Sequence, residues 1–323
     1  MQIQEQNNLV VPEGEVVKPS KKPFIEANTK EVSLSHLSED CVIPVFSKDN
    51  ETTISHQEFI NTARQCAQVI FDGQTLLEPE VRISHVVKGR VPSAIGKPVK
   101  DLLDHEKTVY YERMAFAIEI PSISREINGH RLNLVLGGVR AYNQENLYSR
   151  KTLEKFKFFI GFKNMVCCNM CVSSDGYVGD LRVGSINELQ ANLLDAIGSF
   201  QMQDQLELLL AMPEYGINEQ QFAQLIGKCR LYNYLPKSER QGIHPLLLND
   251  GQIGAIARQY YEDEHFGRDS NGDLTLWDFY NLLTGANKTS YVDTFVQRGV
   301  NALEITQMLQ ESLQSGIPNW YLT

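Results

Sequence analysis

At 323 residues and 42% hydrophobic content, the chain is long for one domain, short for three and rich enough to bury a core, so two modules and a tail are expected. No run reaches the roughly 18 apolar residues of a membrane span, and the opening MQIQEQNNLVVPEGE lacks the basic start and apolar core of a signal peptide, which predicts a cytoplasmic protein without membrane contact. The net charge of −10 divides into −7 over residues 1–80, +6 over 81–183 and −9 over 184–323, so the whole chain argues against nucleic acid while its middle does not.

Residues 1–38 are polar, hold Pro12, Pro19 and Pro23 and show no periodicity, which reads as a disordered tail or a partner-docking segment. A short strand is expected at Cys41–Phe46. Ser55 opens a helix to Phe71, with Phe59, Ile60, Ala63, Cys66, Ala67 and Ile70 at three-and-four spacing. Glu58 completes a capping box with Ser55, and Asp72-Gly73 stops the helix. Val81–Lys100 begins as a strand and becomes a loop at Gly89, Pro92, Gly96 and Pro98. It carries Arg82, Lys88, Arg90, Lys97 and Lys100 and no acid. It is either a solvated hairpin or a basic arm for phosphates.

Strands follow in quick succession. Arg113–Ile120 puts Met114, Phe116, Ile118 and Ile120 on one face, and His130–Leu136 puts Leu132, Leu134 and Leu136 inward. Asn128-Gly129 marks a tight turn between them. Gly137-Gly138 permits a bulge or a close backbone approach. Glu154–Val172 (EKFKFFIGFKNMVCCNMCV) reads as one long strand or two, with Phe156, Phe158, Ile160 and Phe162 facing a core. Asp175-Gly176 turns the chain into Tyr177–Val183. Short turns between strands predict an antiparallel sheet. From Ser185 the period becomes helical: Ile186–Met212, Asn218–Leu235, Gly251–Tyr261, Leu276–Leu283 and Thr289–Gln314. The expected class is α+β, with a tail at 1–38, a helix-plus-sheet module at 39–183 and a helical module at 184–323.

Motifs with chemistry are few. Asp269-Ser-Asn271-Gly272-Asp273 resembles part of a calcium loop; with Gly272 sixth, Gly267 stands first where a ligand is needed and Asp278 stands twelfth. A turn capping the next helix is the simpler reading. Gly285–Thr289 lacks the glycines of a phosphate loop. Cys168-Asn-Met-Cys171 has metal spacing but no second pair, and six cysteines in such a chain read as packed thiols. Glu262–His265 is a solvated helix end or a metal cluster. No nuclease carboxylate-x-lysine, Gly-x-Ser-x-Gly or Ser-x-x-Lys occurs. We expect no catalytic residue, metal or cofactor. The remaining candidate is a basic sheet face: Lys155, Lys157, Phe159 and Lys163 share a side with Arg113, Arg131 and Asn133 when the core faces are kept together. An aromatic among cations on an open sheet stacks bases of single strands. Helices covering that face are the alternative.

Five stretches carry a resemblance: KPFIEANT (22–29), RISHVVKGRVP (82–92), YYERMAFAIEIPSIS (110–124), NEQQFAQLIGKCR (218–230) and LWDFYNLLTGANKTSYVDTF (276–295). Together they resemble a family of uncharacterised bacterial proteins carried on conjugative and integrated mobile elements. More distantly, VCCNM (166–170) and Leu276–Asp293 resemble a phage- and plasmid-like family with a "VC-x-N" strand and an "lW-x-x-x-N" helix. The counterparts here are Cys167 or Cys168 with Asn169, and Trp277 with Asn281. The resemblance implies an accessory role on a mobile element and transfers no catalytic residue.

An unrecognised enzyme would need a pocket with clustered polar residues; two other functions remain. One is a nucleic-acid-binding accessory protein contacting single-stranded DNA through the 81–100 arm and the basic sheet face. The other is a protein-interaction or anti-defence module whose acidic helices meet a host or element-encoded protein.

Overall fold

A computed structural model describes residues 22–41, 53–144 and 153–323. The first described residues depart from the expected tail. Phe24 and Ile25 are fully buried, β1 (Lys30–Glu31) pairs with β2 (Glu80–Arg90), and α1 (Leu34–Glu39) follows. An apolar pair in a polar stretch was enough to seat the segment, because the sheet offers it an apolar face. Residues 1–21 of the expected tail and Val42–Phe46 of the expected strand lie outside the described residues; Cys41 makes an isolated bridge to Val109. α2 (His56–Ile70) forms as its pattern predicts, closed by the Ser55–Glu58 capping box.

The sheet is antiparallel, in the order β1, β2, β3 (Lys107–Ile127), β4 (His130–Ala141), β5 (Glu154–Asn164), β6 (Met170–Cys171), with β7 (Tyr177–Val183) also paired to β5. Asn128 and Gly129 both have positive φ, as a two-residue hairpin turn of matching twist requires. β3 runs longer than its alternation predicts. The register shifts between Ile120 and Ser124, where Pro121 has no N–H to give the ladder. The Glu154–Val172 stretch resolves into two strands, β5 and β6, separated by a turn with Cys168 at φ +58°.

Both faces of the sheet are buried. On the first, Phe116, Ile118, Leu134, Leu136, Phe156 and Phe158 pack against α2 and α3 (Ile186–Ser199). That apolar cluster continues into α4 (Met202–Ala211), α5 (Glu219–Tyr234), α6 (Asp250–Glu262) and α7 (Leu276–Asn287), so the two halves of the chain share one core. The expected single helix Ile186–Met212 is broken at Phe200–Gln201 into α3 and α4. On the second face, α8 (Val292–Ser315) lies across β3, β4, β6 and β7.

Gly137 and Gly138 are places of close approach. A Cβ on Gly137 would meet the Phe159 ring at 2.6 Å and Phe116 O at 2.1 Å; one on Gly138 would meet the Phe59 ring at 2.4 Å. The two rings lie directly on the backbone from opposite sides.

A buried ion pair ties the start of α2 to the sheet. Arg140, fully buried, donates to Glu154 and to Ile54 O, and Ile54 N donates to the same carboxylate. The guanidinium lies between the rings of Tyr142 (4.5 Å) and Phe156 (4.3 Å). Beside it, His56 Nε2 bonds Tyr111 O at 2.8 Å, and its ring centroid lies 4.6 Å from that of Tyr142. Burial first, and then the Arg140 charge, push the imidazole down to about 3.

Two predictions follow from this packing. Gly137→Ala forces the Phe159 ring and the Phe116 strand apart, and is expected to cost about 1–3 kcal/mol in a urea melt. His56 titrates below its unfolded value, so the unfolded chain binds the extra proton as pH falls. Its contribution is complete above about pH 6.5 and is lost towards pH 3, the loss reaching roughly 2 kcal/mol by pH 5. His56→Gln is expected to flatten that part of a stability–pH curve, and an unchanged slope between pH 6.5 and 5 would refute the assignment.

Candidate nucleic-acid interface

α8 takes the sheet face on which base stacking was expected. Phe159 is 1% exposed and packs with Val135, Val139, Phe295 and Val296. The Phe24 ring closes the layer, 6.0 Å from Phe295. The face is lined by small and β-branched residues, Ala115, Ala117 and Val135, which let a helix approach.

The cations of that face are spent inside the protein. Lys163, 5% exposed, reaches Glu119 Oε1 at 2.6 Å and Glu80 Oε2 at 3.2 Å. Burial works against its ammonium, but the two carboxylates outweigh it and hold the pKa above the ordinary lysine value. Lys157 donates to Asp293 O at the start of α8, and burial pulls its pKa below the ordinary value. Arg113 lies 3.7 Å from Asp293 Oδ1 and 5.8 Å from the Tyr291 ring. Arg131 bonds Pro121 O at 2.9 Å and Asn133 Oδ1 at 3.1 Å. Lys155 lines a cleft of about 220 Å³ with Lys157, Gln144 and Asp180. Arg82 holds the N-terminal segment through Thr29 O and Thr29 Oγ1, both at 3.1 Å. Phe159 and Lys163 are therefore core residues, Arg82, Arg113 and Lys157 fasten the covering segments, and Arg131 braces β4 to β3 at the Pro121 irregularity.

The 81–100 arm is different. His85 sits at φ +57° in β2, a left-handed conformation that costs a non-glycine residue roughly 1–2 kcal/mol. Up to Ser84 the strand alternates into the core; beyond His85 it does not, and Val86 is 52% exposed. The register places Val86 opposite Tyr111, Lys88 opposite Val109 and Arg90 opposite Lys107. Facing pairs share a side, so Lys88, Arg90 and Lys107 line one side of a two-stranded ribbon. Three short 3-10 turns connect its strands. Arg90 donates to Lys97 O, and Lys97 pairs with the Glu106 carboxylate. Ile95, Val99 and Leu103 on this loop are 77%, 72% and 56% exposed. Lys88 and Lys100 are exposed and make no ion pair among the described residues. Lys107 was missed in the sequence; extending the β3 alternation upstream of Arg113 would have brought it opposite Arg90.

The cysteine stretch meets α7. Asn169 Nδ2 donates to Asn281 O at 2.9 Å, and Asn164 Nδ2 to Asn281 Oδ1 at 3.1 Å. Lys288, at the end of α7, donates to Cys167 O, and Trp277 Nε1 to His130 Nδ1 at 3.1 Å. The two short motifs, around Asn169 and around Trp277–Asn281, thus form one buried polar contact between sheet and helix. Burial pushes the Cys167 thiol up to about 12 and raises that of Cys171 as well. Both stay protonated at neutral pH, which suits packing and suits neither thiolate ligation nor attack. Among the described residues, no group of three His, Cys, Asp or Glu side chains converges as a metal site, and no helix is long and apolar enough to cross a membrane.

No curated protein and no solved structure matches the chain. The family described as "Domain of unknown function, B. Theta Gene description (DUF3871)" matches residues 4–322. Because that match spans nearly the whole sequence, the protein belongs to this bacterial family of unknown function.

Proposed function

We propose that the protein is a non-catalytic nucleic-acid-contacting accessory protein that works through the β2–β3 ribbon. One observation carries the reading: Arg90 stands directly opposite Lys107, with Lys88 beside them on the same side. Like charges facing across a strand pair are destabilising; Asp104 pairs with Lys107 at 2.7 Å, so the arm lysines left without an ion pair among the described residues are Lys88 and Lys100. A two-stranded ribbon fits a duplex major groove, and exposed lysines neutralise phosphates. With Phe159 covered, the base-stacking platform expected for single strands is gone, and the reading shifts to backbone contact on a duplex. An accessory role on a mobile element, inside the cytoplasm, belongs to the same proposal. A protein partner for the acidic helices has one observation in its favour: Leu231 and Tyr234, three apart on α5, are both exposed.

The test is fluorescence anisotropy with single- and double-stranded DNA across a salt series. Lys88→Glu with Lys100→Glu is expected to weaken duplex binding at least tenfold at low salt, and to reduce the slope of log K against log salt by about 2. Lys163→Met is expected to leave affinity unchanged while costing roughly 2 kcal/mol of stability, since two partly exposed carboxylates lose their partner. Binding that is absent at low salt, or indifferent to the arm charges, sinks the proposal; tighter binding to single strands returns it to the stacking mode.

A further inference from the structure

Residues 202–287 hold a repeated plan. α4, β8 (Gly216–Ile217) and α5 form one helix–loop–helix unit; α6, β9 (Leu274–Thr275) and α7 form a second. The loops join through a short antiparallel pair, Gly216 with Thr275 and Ile217 with Leu274. From the bridging strands into the second helix of each unit, corresponding residues lie 57 positions apart, while α4 and α6 begin 48 positions apart because the second loop is longer. Ile217 and Leu274 are both buried. Asn218 and Thr275 both cap the following helix, accepting from Gln221 N at 2.9 Å and Asp278 N at 3.1 Å. Phe222 and Phe279 come next, buried, with ring centroids 6.4 Å apart. Two helix–loop–helix units bridged at the eighth loop position is how calcium hands pair. Gly272, sixth in the second loop, has the left-handed φ of +89° that the sharp turn requires.

The second loop closes on itself through its own side chains and backbone. At its first position, Gly267, a Cβ would meet Asp263 O at 2.4 Å, so no ligand side chain fits there. At its third, Asp269 Oδ1 accepts the N–H groups of Asn271 and Asp273, both at 2.8 Å. The seventh-position carbonyl, Asp273 O, which would face an ion, instead accepts from Asp269 N at 2.9 Å. Asp278, in the twelfth position, accepts from Thr275 Oγ1 at 2.5 Å, and Tyr260 Oη donates to Gly272 O at 2.6 Å.

We infer that residues 202–287 are a paired calcium-hand lobe that is permanently closed, with the Asp269 carboxylate and the Tyr260 hydroxyl doing the bracing that an ion does elsewhere. The lobe is a fixed platform for α7, which carries Trp277, Asn281 and Lys288 to the sheet, and it does not switch with calcium.

Thermal melts of the full chain in EDTA, in calcium and in magnesium up to about 10 mM, above the weakest range of such hands, test the inference. The wild-type midpoint is expected to be the same in all three. Asp269→Ala is expected to lower it by several degrees, equally with and without calcium, and Asp269→Asn, which keeps the acceptor oxygen, by less. Tyr260→Phe is expected to lower it further when added to Asp269→Ala. A calcium-dependent rise of the wild-type midpoint overturns the inference, as does an Asp269→Ala chain that melts like the wild type.

Discussion

The structure depends on the covering of the sheet's second face. β3, β4 and β5 present apolar side chains alternately to both sides, and antiparallel sheets commonly leave one side wet. Here α8 and the Phe24–Ile25 segment close that side. Once it is closed, every cation on it needs a partner. Lys163 finds Glu80 and Glu119, Lys157 finds the first turn of α8, and Arg113 finds Asp293 and the Tyr291 ring. The basic patch implied by the charge of the middle segment is mostly turned inward, and what is left outward is the ribbon beyond His85.

The alternation of Phe156, Phe158, Ile160 and Phe162 was legible because a strand's period is two and depends on nothing distant. The same holds for the Ser55 capping box and the Asn128-Gly129 turn. The burial of Phe159 was not legible in the same way, because its partners Phe295 and Val296 lie in a helix more than 130 residues later. Lys163 looked like a solvent-facing lysine because Glu80 and Glu119 reach it only through the register of β2, β3 and β4. The break between α3 and α4 has no proline to announce it: Phe200 and Gln201 leave helical geometry where Gln201 N meets Asp175 Oδ2 at 3.0 Å. Of the arm cations, Arg82 turns to the N-terminal segment, and the pairing of β2 with β3 brings Lys107 to the side of Lys88 and Arg90.

The helical half is held to the sheet by polar contacts as well as by the shared core. Asn281 joins Asn164 and Asn169, and the carbonyl of Lys288 accepts from Glu26 N and Ala27 N at 2.9 and 3.2 Å. Buried polar groups of this kind fix one arrangement, since any other leaves them unpaired. α7 is therefore the hub: Trp277 at its start meets His130, Asn281 in its middle meets Asn164 and Asn169, and Lys288 just past its end meets both the cysteine turn and the N-terminal segment before α8 departs.

The lateness of α8 has a consequence for biosynthesis. The apolar face formed by Ala115, Val135, Phe159 and Val172 is complete about 120 residues before Val292 is added. At ~5–20 residues per second, a nascent chain carries that face uncovered for on the order of ten seconds. A ribosome stalled between β7 and α8 would release a sheet with one greasy side and long strands, the kind of fragment that chaperones bind and that otherwise aggregates.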